Sequence, residues 1–205
     1  MKISFAITVC NELDEIKKLV PFLLEHKRSE DEIVVLYDEK NGNTEILEFL
    51  SPLIISKEIK VEVAYFNNNF SEWKNLLNSF CSGDYVYQID ADEMIDEYMV
   101  KNISAIVDMN PNVDLIFVPR INTVNGLTDE HVKKWGWNVN EKNWVNFPDW
   151  QGRIYRSNMS WHGKVHERII GGEYFSSLPT DEVYCLQHHK SIDRQEKQNN
   201  LYSSI

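Results

Sequence analysis

The residues with the clearest chemical potential are Asp90, Asp92 and Glu93, in the segment Gln88-Ile89-Asp90-Ala91-Asp92-Glu93. They follow an apolar run, Tyr85-Val86-Tyr87-Gln88-Ile89, that reads as a strand. Residues two apart on an extended backbone face the same side, so Asp90 and Asp92 project together. Carboxylates this close repel one another unless a cation stands between them. Mn2+ and Mg2+ suit such a place, because both are hard ions that bind through one or two carboxylates plus substrate phosphates. Ala91 is small and leaves room for a ligand. The competing reading is a solvated acidic turn that opens the next helix, where acids are favoured.

Other side chains carry less on their own. Asp38 ends the run Ile33-Val34-Val35-Leu36-Tyr37 and serves equally as a turn residue before Asn41-Gly42 or as a hydrogen-bond acceptor for a nucleobase. The segment Trp161-His162-Gly163-Lys164-Val165-His166-Glu167 sets a carboxylate beside imidazoles. A general base for a sugar hydroxyl needs a carboxylate within hydrogen-bond reach. His188-His189 offers a neutral imidazole to a metal. Taken alone, both histidine segments read as structural.

The elements that must position these groups alternate in type. Strand-like runs cover residues 2–9, 33–37, 61–65, 85–89 and 115–118. Between them, Ile16, Leu19, Val20, Leu23 and Leu24 recur at helical spacing, behind Asp14 and Glu15. Residues 44–50 form a second helix. Phe70, Trp73, Leu76, Leu77 and Phe80 share one face of a third, with Ser71 as its expected N-cap, and Met99, Ile103, Ile106 and Val107 mark a fourth. This predicts a three-layer α/β domain with a mostly parallel central sheet. Ligands in such sheets bind outside the carboxyl ends of the strands. That places Asn11, Glu12, Asp38, residues 67–69 and residues 90–93 where a ligand would lie. Residues 122–150 are rich in Asn, Trp and Gly without clear periodicity and read as a loop or irregular hairpin. A strand at 152–156, a mixed segment at 161–167, a short strand at 183–186 and a charged helix at 191–202 complete the chain.

The net charge of −11 over 205 residues repels phosphate backbones and argues against nucleic-acid binding. An anionic substrate would then need local cations to hold it. A chain of this length buries roughly 70% of its unfolded surface and needs no disulfides. Cys10, Cys81 and Cys185 are odd in number and form no CxxC, which predicts reduced thiols and no zinc site. The apolar N-terminus is too short for a signal peptide, and no run approaches the about 18 apolar residues of a membrane span. The expected location is cytoplasmic, free or peripheral at a membrane, with no integral membrane segment.

In this order the segments resemble glycosyltransferase family 2, whose members have the GT-A fold. Ile7-Thr8-Val9-Cys10-Asn11-Glu12 is similar to the family's opening strand with Asn-Glu. Asp38 stands where an Asp contacts the base, although the usual Asp-Asp-x-Ser reads Tyr37-Asp38-Glu39-Lys40. Asn69-Phe70-Ser71-Glu72-Trp73-Lys74-Asn75 resembles the stretch before the DxD motif, and residues 85–93 the strand that carries it. Arg153-Ile154-Tyr155-Arg156 lies where a strand bearing Arg is expected. The Trp161 to Glu167 pattern is similar to a small bacterial branch that builds lipopolysaccharide cores and related envelope glycans.

The resemblance implies a single GT-A domain over 1–205: a nucleotide-sugar-binding half (1–119), an acceptor-side half (120–190) and a C-terminal helix (191–205). It implies inverting, metal-assisted transfer from a nucleoside-diphosphate sugar, UDP-linked by expectation, to a glycan or lipid-linked acceptor. The donor-binding residues would be Thr8, Val9, Cys10, Glu12, Asp38, Asn69, Lys74, Asp90, Ala91, Asp92 and Arg153, with Arg156 a further phosphate contact. Asp92, Asp90 through water, and His188 would hold Mn2+ or Mg2+. Glu167 stands by order where the family has its catalytic base, with Asp149 as second choice. Two rivals are a sugar nucleotidyltransferase, whose glycine-rich phosphate loop is absent from Cys10-Asn11-Glu12-Leu13-Asp14, and a non-catalytic binding module of the same fold.

Overall fold

The computed structural model describes residues 1–204, with side chains through Asn199; Ile205, the end of the expected terminal segment, lies outside the described residues. Four strands and four helices alternate through the first half: β1 (Ile3–Val9), α1 (Leu13–His26), β2 (Glu32–Asp38), α2 (Glu45–Ile55), β3 (Lys60–Ala64), α3 (Phe70–Phe80), β4 (Tyr85–Asp90) and, after the short β5 (Glu93–Met94), α4 (Glu97–Met109). The second half contains β6 (Leu115–Asn125), α5 (Asp129–Trp135), β7 (Val145–Arg156), β8 (Ser160–His162), β9 (Arg168–Ile170), β10 (Phe175–Ser177), a 3-10 turn (Glu182–Tyr184), β11 (Leu186–Ser191) and α6 (Ile192–Ser204).

The central sheet runs β3-β2-β1-β4-β7-β6-β11-β5, with β10 also along β6. Strands β3, β2, β1 and β4 are parallel, β7 is antiparallel to both neighbours, and β11 is parallel to β6. Alternation divides the core between the two faces. Phe5, Ile7 and Tyr87 pack with Ile16, Leu19 and Leu23 of α1, Ile46 and Leu50 of α2, and Met99 and Ile103 of α4. Ala6, Val34, Leu36 and Val86 pack with Trp73 and Leu77 of α3 on the other. Helix, sheet, helix gives the expected three layers.

Two local expectations are corrected and one is narrowed. Helix α3 is capped by Asn69, not Ser71: Asn69 keeps an extended backbone (φ −131°), and its Oδ1 accepts from the Glu72 amide at 3.3 Å. Ser71 lies inside the helix and donates its hydroxyl to the same Oδ1 at 2.9 Å. Of the two readings of residues 122–150, the irregular hairpin holds and the loop does not: β6 and β7 pair antiparallel with a shift in register, and α5 lies between them. β6 continues to Asn125, α5 follows, and β7 begins at Val145. Helix α5 buries no residue, and β7 bulges where Arg120↔Asp149 gives way to Asn122↔Val145, so neither shows a clean period. Of the strand expected at 183–186, Val183 and Tyr184 lie in the 3-10 turn, and the strand starts only at Leu186.

At the amino end of the sheet, Glu32 ties three strands together. It accepts from Lys60 at 2.7 Å, Lys2 at 3.1 Å and the Ser4 hydroxyl at 2.6 Å. Burial alone would raise its pKa, but the hydrogen bonds from Lys60, Ser4 and Ser82 outweigh burial and bring it down to about 2. A depressed carboxylate stabilises the fold above its unfolded pKa, and the contribution is lost as pH falls through the folded value. Stability should therefore decline between pH 4.5 and about 2, and Glu32→Gln should flatten that decline. Urea midpoints at several pH values check this; an unchanged acid limb in the variant would contradict it.

Candidate functional site

The site forms at the carboxyl end of β4, where the sheet changes from parallel to antiparallel pairing. Thr8 and Asp90 are register partners on β1 and β4, and the Thr8 hydroxyl donates to Asp90 Oδ1 at 3.3 Å. The turn after Asp90 is closed by its own amide, which donates to Glu93 Oε2 at 3.0 Å. Glu93 is fully buried. Its Oε1 accepts from Arg120 Nη1 at 3.0 Å and Arg153 Nη2 at 2.7 Å. Arg153 Nη2 also reaches Asp90 Oδ2 at 2.7 Å, while its Nε and Nη1 are buried without a hydrogen-bond partner among the described residues.

From these pairs the charges extend in two directions. Toward α3, Lys74 Nζ lies 3.9 Å from Asp90 Oδ1, 2.6 Å from Glu167 Oε1 and 4.4 Å from the Trp161 ring centroid. Toward β11, Arg120 donates to Asp149 Oδ2 at 2.7 Å, and Asn122 Nδ2 donates to the same oxygen at 2.8 Å. Asn122 Oδ1 meets His188 Nδ1 at 2.7 Å, and His188 Nε2 faces Asp92 Oδ2 at 3.3 Å. Lys190 Nζ stands 3.9 Å from that same oxygen.

The tautomer of His188 follows from its neighbours. The Asp149 carboxylate only accepts, so the Asn122 amide must turn its NH2 group to it. Asn122 Oδ1 is then the atom facing His188, and Nδ1 of the imidazole donates. A neutral His188 therefore presents a bare Nε2 to Asp92. Two lone pairs 3.3 Å apart require a cation at them, either a proton on Nε2 or a metal ion. An imidazole nitrogen beside a carboxylate oxygen suits Mn2+. Among the described residues, no group of three or more His, Cys, Asp or Glu side chains gathers into a metal cluster.

Half-buried carboxylates stay ionised here because cations surround them. Burial would raise Asp90, but Arg153 and then Lys74 outweigh it and hold it well below the usual range. Burial acts the same way on Asp92 and is outweighed by the His188 hydrogen bond and by Lys190, so its pKa is lowered. Asp149 is lowered against burial chiefly by Arg120. Lys190 is itself lowered by burial, against the pull of Asp92.

The mouth of the site is the β1–α1 turn. Glu12 Oε2 accepts from the amides of Cys10 and Asn11 at 2.8 and 2.9 Å, and Arg194 of α6 reaches Glu12 Oε1 at 3.2 Å. Val9 is buried beneath this turn. Asp38 is buried and joins the ends of β2 and β3 by accepting from the amides of Lys40 and Phe66 at 3.0 and 3.1 Å. Cys10 Sγ lies 3.7 Å from Asp38, and burial together with the Asp38 charge pushes the thiol pKa up to about 12.

Thr8, Lys74, Asp90, Arg153 and Glu167 are thus gathered on one side, and Asp92, His188 and Asp149 on the other. Ala91 is buried between Asp90 and Asp92. Asn69 serves α3 as its cap, and Asp38 and Cys10 shape the turn beside Glu12. Arg156 is corrected: it registers with Tyr85 at the far end of β4 and pairs with Asp114 at 3.0 Å, because antiparallel β7 runs away from the site. Arg120, Asn122, Lys190 and Arg194 belong to the cluster but do not stand out in the sequence. The signal was a spacing of two, Arg120 with Asn122 and His188 with Lys190, which puts each pair on one strand face.

Removing Glu93 leaves the buried Arg153 guanidinium and the half-buried Arg120 guanidinium each short of a partner. Glu93→Ala should cost about 3–5 kcal/mol and lower Tm by on the order of 10 °C. Thermal unfolding followed by circular dichroism measures this, and a shift within error of wild type would contradict the account.

The chain matches the family model described as Glycosyl transferase family 2 over residues 4–170, and it belongs to that family. A search of curated protein sequences finds no match. Among solved structures it is similar to S. aureus TarS. For residues 1–349 of that protein the TM-score is 0.64 at 17% identity, with 92% of this chain and 60% of that one covered. The same protein in complex with UDP-GlcNAc gives a TM-score of 0.62 at 17% identity and coverages of 93% and 59%. In complex with UDP it gives 0.62 at 17% identity and coverages of 98% and 64%. These neighbours share the GT-A architecture with a mostly parallel sheet. The chain spans 37% of the longer TarS structure.

Proposed function

We propose that this protein is an inverting glycosyltransferase that moves a sugar from a nucleoside-diphosphate sugar to a hydroxyl acceptor. The observation that carries the reading is the charge arrangement at the end of β4. In a chain of net charge −11, five cationic side chains (Lys74, Arg120, Arg153, Lys190 and Arg194) gather around Asp90, Asp92 and Glu93 or the turn beside them. A diphosphate donor with a divalent cation enters such a site as a nearly neutral pair. The UDP and UDP-GlcNAc complexes of the TarS neighbour support a UDP-linked donor.

Asp92 and His188 would hold Mn2+ or Mg2+, with Asp90 as an outer partner. When bound, the ion offsets the negative charge that develops on the departing nucleoside diphosphate. The chain's own groups do the rest. The Thr8 to Glu12 turn and Asp38 shape the nucleoside side, with Asn69 nearby at the start of α3. Lys74 and Arg153 attract the diphosphate. Glu167 takes the proton of the acceptor hydroxyl as its oxygen bonds to the anomeric carbon. The bond from that carbon to the phosphate oxygen breaks, and its electron pair leaves with the nucleoside diphosphate, so configuration inverts. Residues 1–119 form the donor half, 120–190 the acceptor half and 191–205 the terminal segment. The acceptor is a glycan or a lipid-linked acceptor, met in the cytoplasm or at a membrane surface. No helix among the described residues is long and apolar enough to cross a membrane.

The test is a panel of nucleotide sugars with Mn2+, read as free nucleoside diphosphate and as glycoside product. Release of UDP from one donor is expected. Release of pyrophosphate from a nucleoside triphosphate and a sugar phosphate, with no turnover of any nucleotide sugar, would contradict the reading.

A further inference from the structure

The segment that carries Glu167 is fastened to the donor half through α3. Residues 163–167 join β8 to β9, a hairpin separate from the main sheet, with Gly163 at φ 102° and His166 at φ 55°. The root of the hairpin is pinned by Asn75, which exchanges two hydrogen bonds with the Trp161 backbone at 2.8 and 2.7 Å. Its tip docks through the Phe70 amide, which donates to the Lys164 carbonyl at 3.0 Å, and through the Lys74–Glu167 pair at 2.6 Å. Lys74 is buried against Trp161, and the same ammonium lies 3.9 Å from Asp90 Oδ1. It thus stands between the Glu167 carboxylate and the place where the donor's charge would arrive.

A carboxylate held this tightly by an ammonium is not free to take a proton from an acceptor. A lysine ammonium is a compact charge on a flexible stem, with three donors that reorient readily. The two negative charges of a diphosphate beside Asp90 compete for it directly.

We propose that Lys74 is a positioning residue that holds Glu167 in the donor-free protein and releases it when the donor arrives. Lys74 turns to the diphosphate, and loop 163–167 with its carboxylate becomes free to meet the acceptor. The inference rests on the reading of this site as a nucleotide-sugar site.

Hydrogen exchange of the full chain, with and without UDP and Mn2+, tests it. UDP should slow exchange in peptides covering residues 8–12 and 88–93. It should speed exchange in residues 160–170 by about tenfold, the factor that loss of one charge-assisted hydrogen bond gives. In Lys74→Met, residues 160–170 should already exchange fast and ignore UDP, whereas Lys74→Arg should keep the UDP response. Wild-type exchange in residues 97–109 of each variant shows that the fold is intact. Slowed exchange at 160–170 together with the other two peptides, or a Lys74→Met protein with wild-type exchange there, overturns the proposal and leaves the donor reading standing. UDP that changes no peptide overturns both.

Discussion

Asp92→Asn is expected to lower turnover by about a thousandfold, the upper range for removing one electrostatic contact from a transition state. The substitution keeps the shape of the side chain and removes its charge. An amide at this position can donate to the bare Nε2 of His188, which faces Asp92 at 3.3 Å. The fold should therefore tolerate the change while the cation site is lost. Turnover at saturating donor over a Mn2+ series measures the first effect, and Mn2+ titration by calorimetry the second. Near-normal turnover with added Mn2+ would show that Asp92 is not the metal ligand.

Glu167→Gln should lower kcat by about 10²- to 10⁴-fold, the range for loss of a general base. Lys74, which now lies 2.6 Å from the carboxylate, keeps its charge for the diphosphate and loses a competitor for it, so UDP affinity should hold or rise. Asp149 is the comparison. It already accepts from Arg120, Asn122 and Gln151, which leaves it little capacity for a substrate proton. Asp149→Asn should act first on stability and on the orientation of His188. The roles are reversed if Asp149→Asn takes the larger loss in kcat and Glu167→Gln keeps most of its activity.

The first half of the fold was legible because burial and periodicity agree there. β1, β2 and β4 are apolar runs buried on both faces, and α1 shows Ile16, Leu19, Val20 and Leu23 at the spacing of one helix face. Asp90 and Asp92 were legible for the same reason, since an apolar strand ends in acids. The second half hides part of its structure where buried positions beside the site are polar. β11 buries Leu186, His188 and Lys190, so a strand beside the site reads as a charged segment. Arg120 and Asn122 continue β6 past its apolar run for the same reason. The exact cap of α3 was missed because Asn69 and Ser71 are both capping residues, and the backbone of the former decides. Which carboxylate pairs with which cation depends on contacts between residues as distant as Lys74 and Glu167, and no local pattern encodes those.

In the proposed function, the end of β4 holds a nucleoside diphosphate through Asp92 and a metal ion. Calorimetric titration of UDP into the wild-type chain, with Mn2+ and with chelator, tests it most directly when repeated on Asp92→Asn. The expected result is saturable binding that requires Mn2+, is lost in Asp92→Asn and is retained in Glu167→Gln. UDP binding that is indifferent to chelator and unchanged by Asp92→Asn would contradict it.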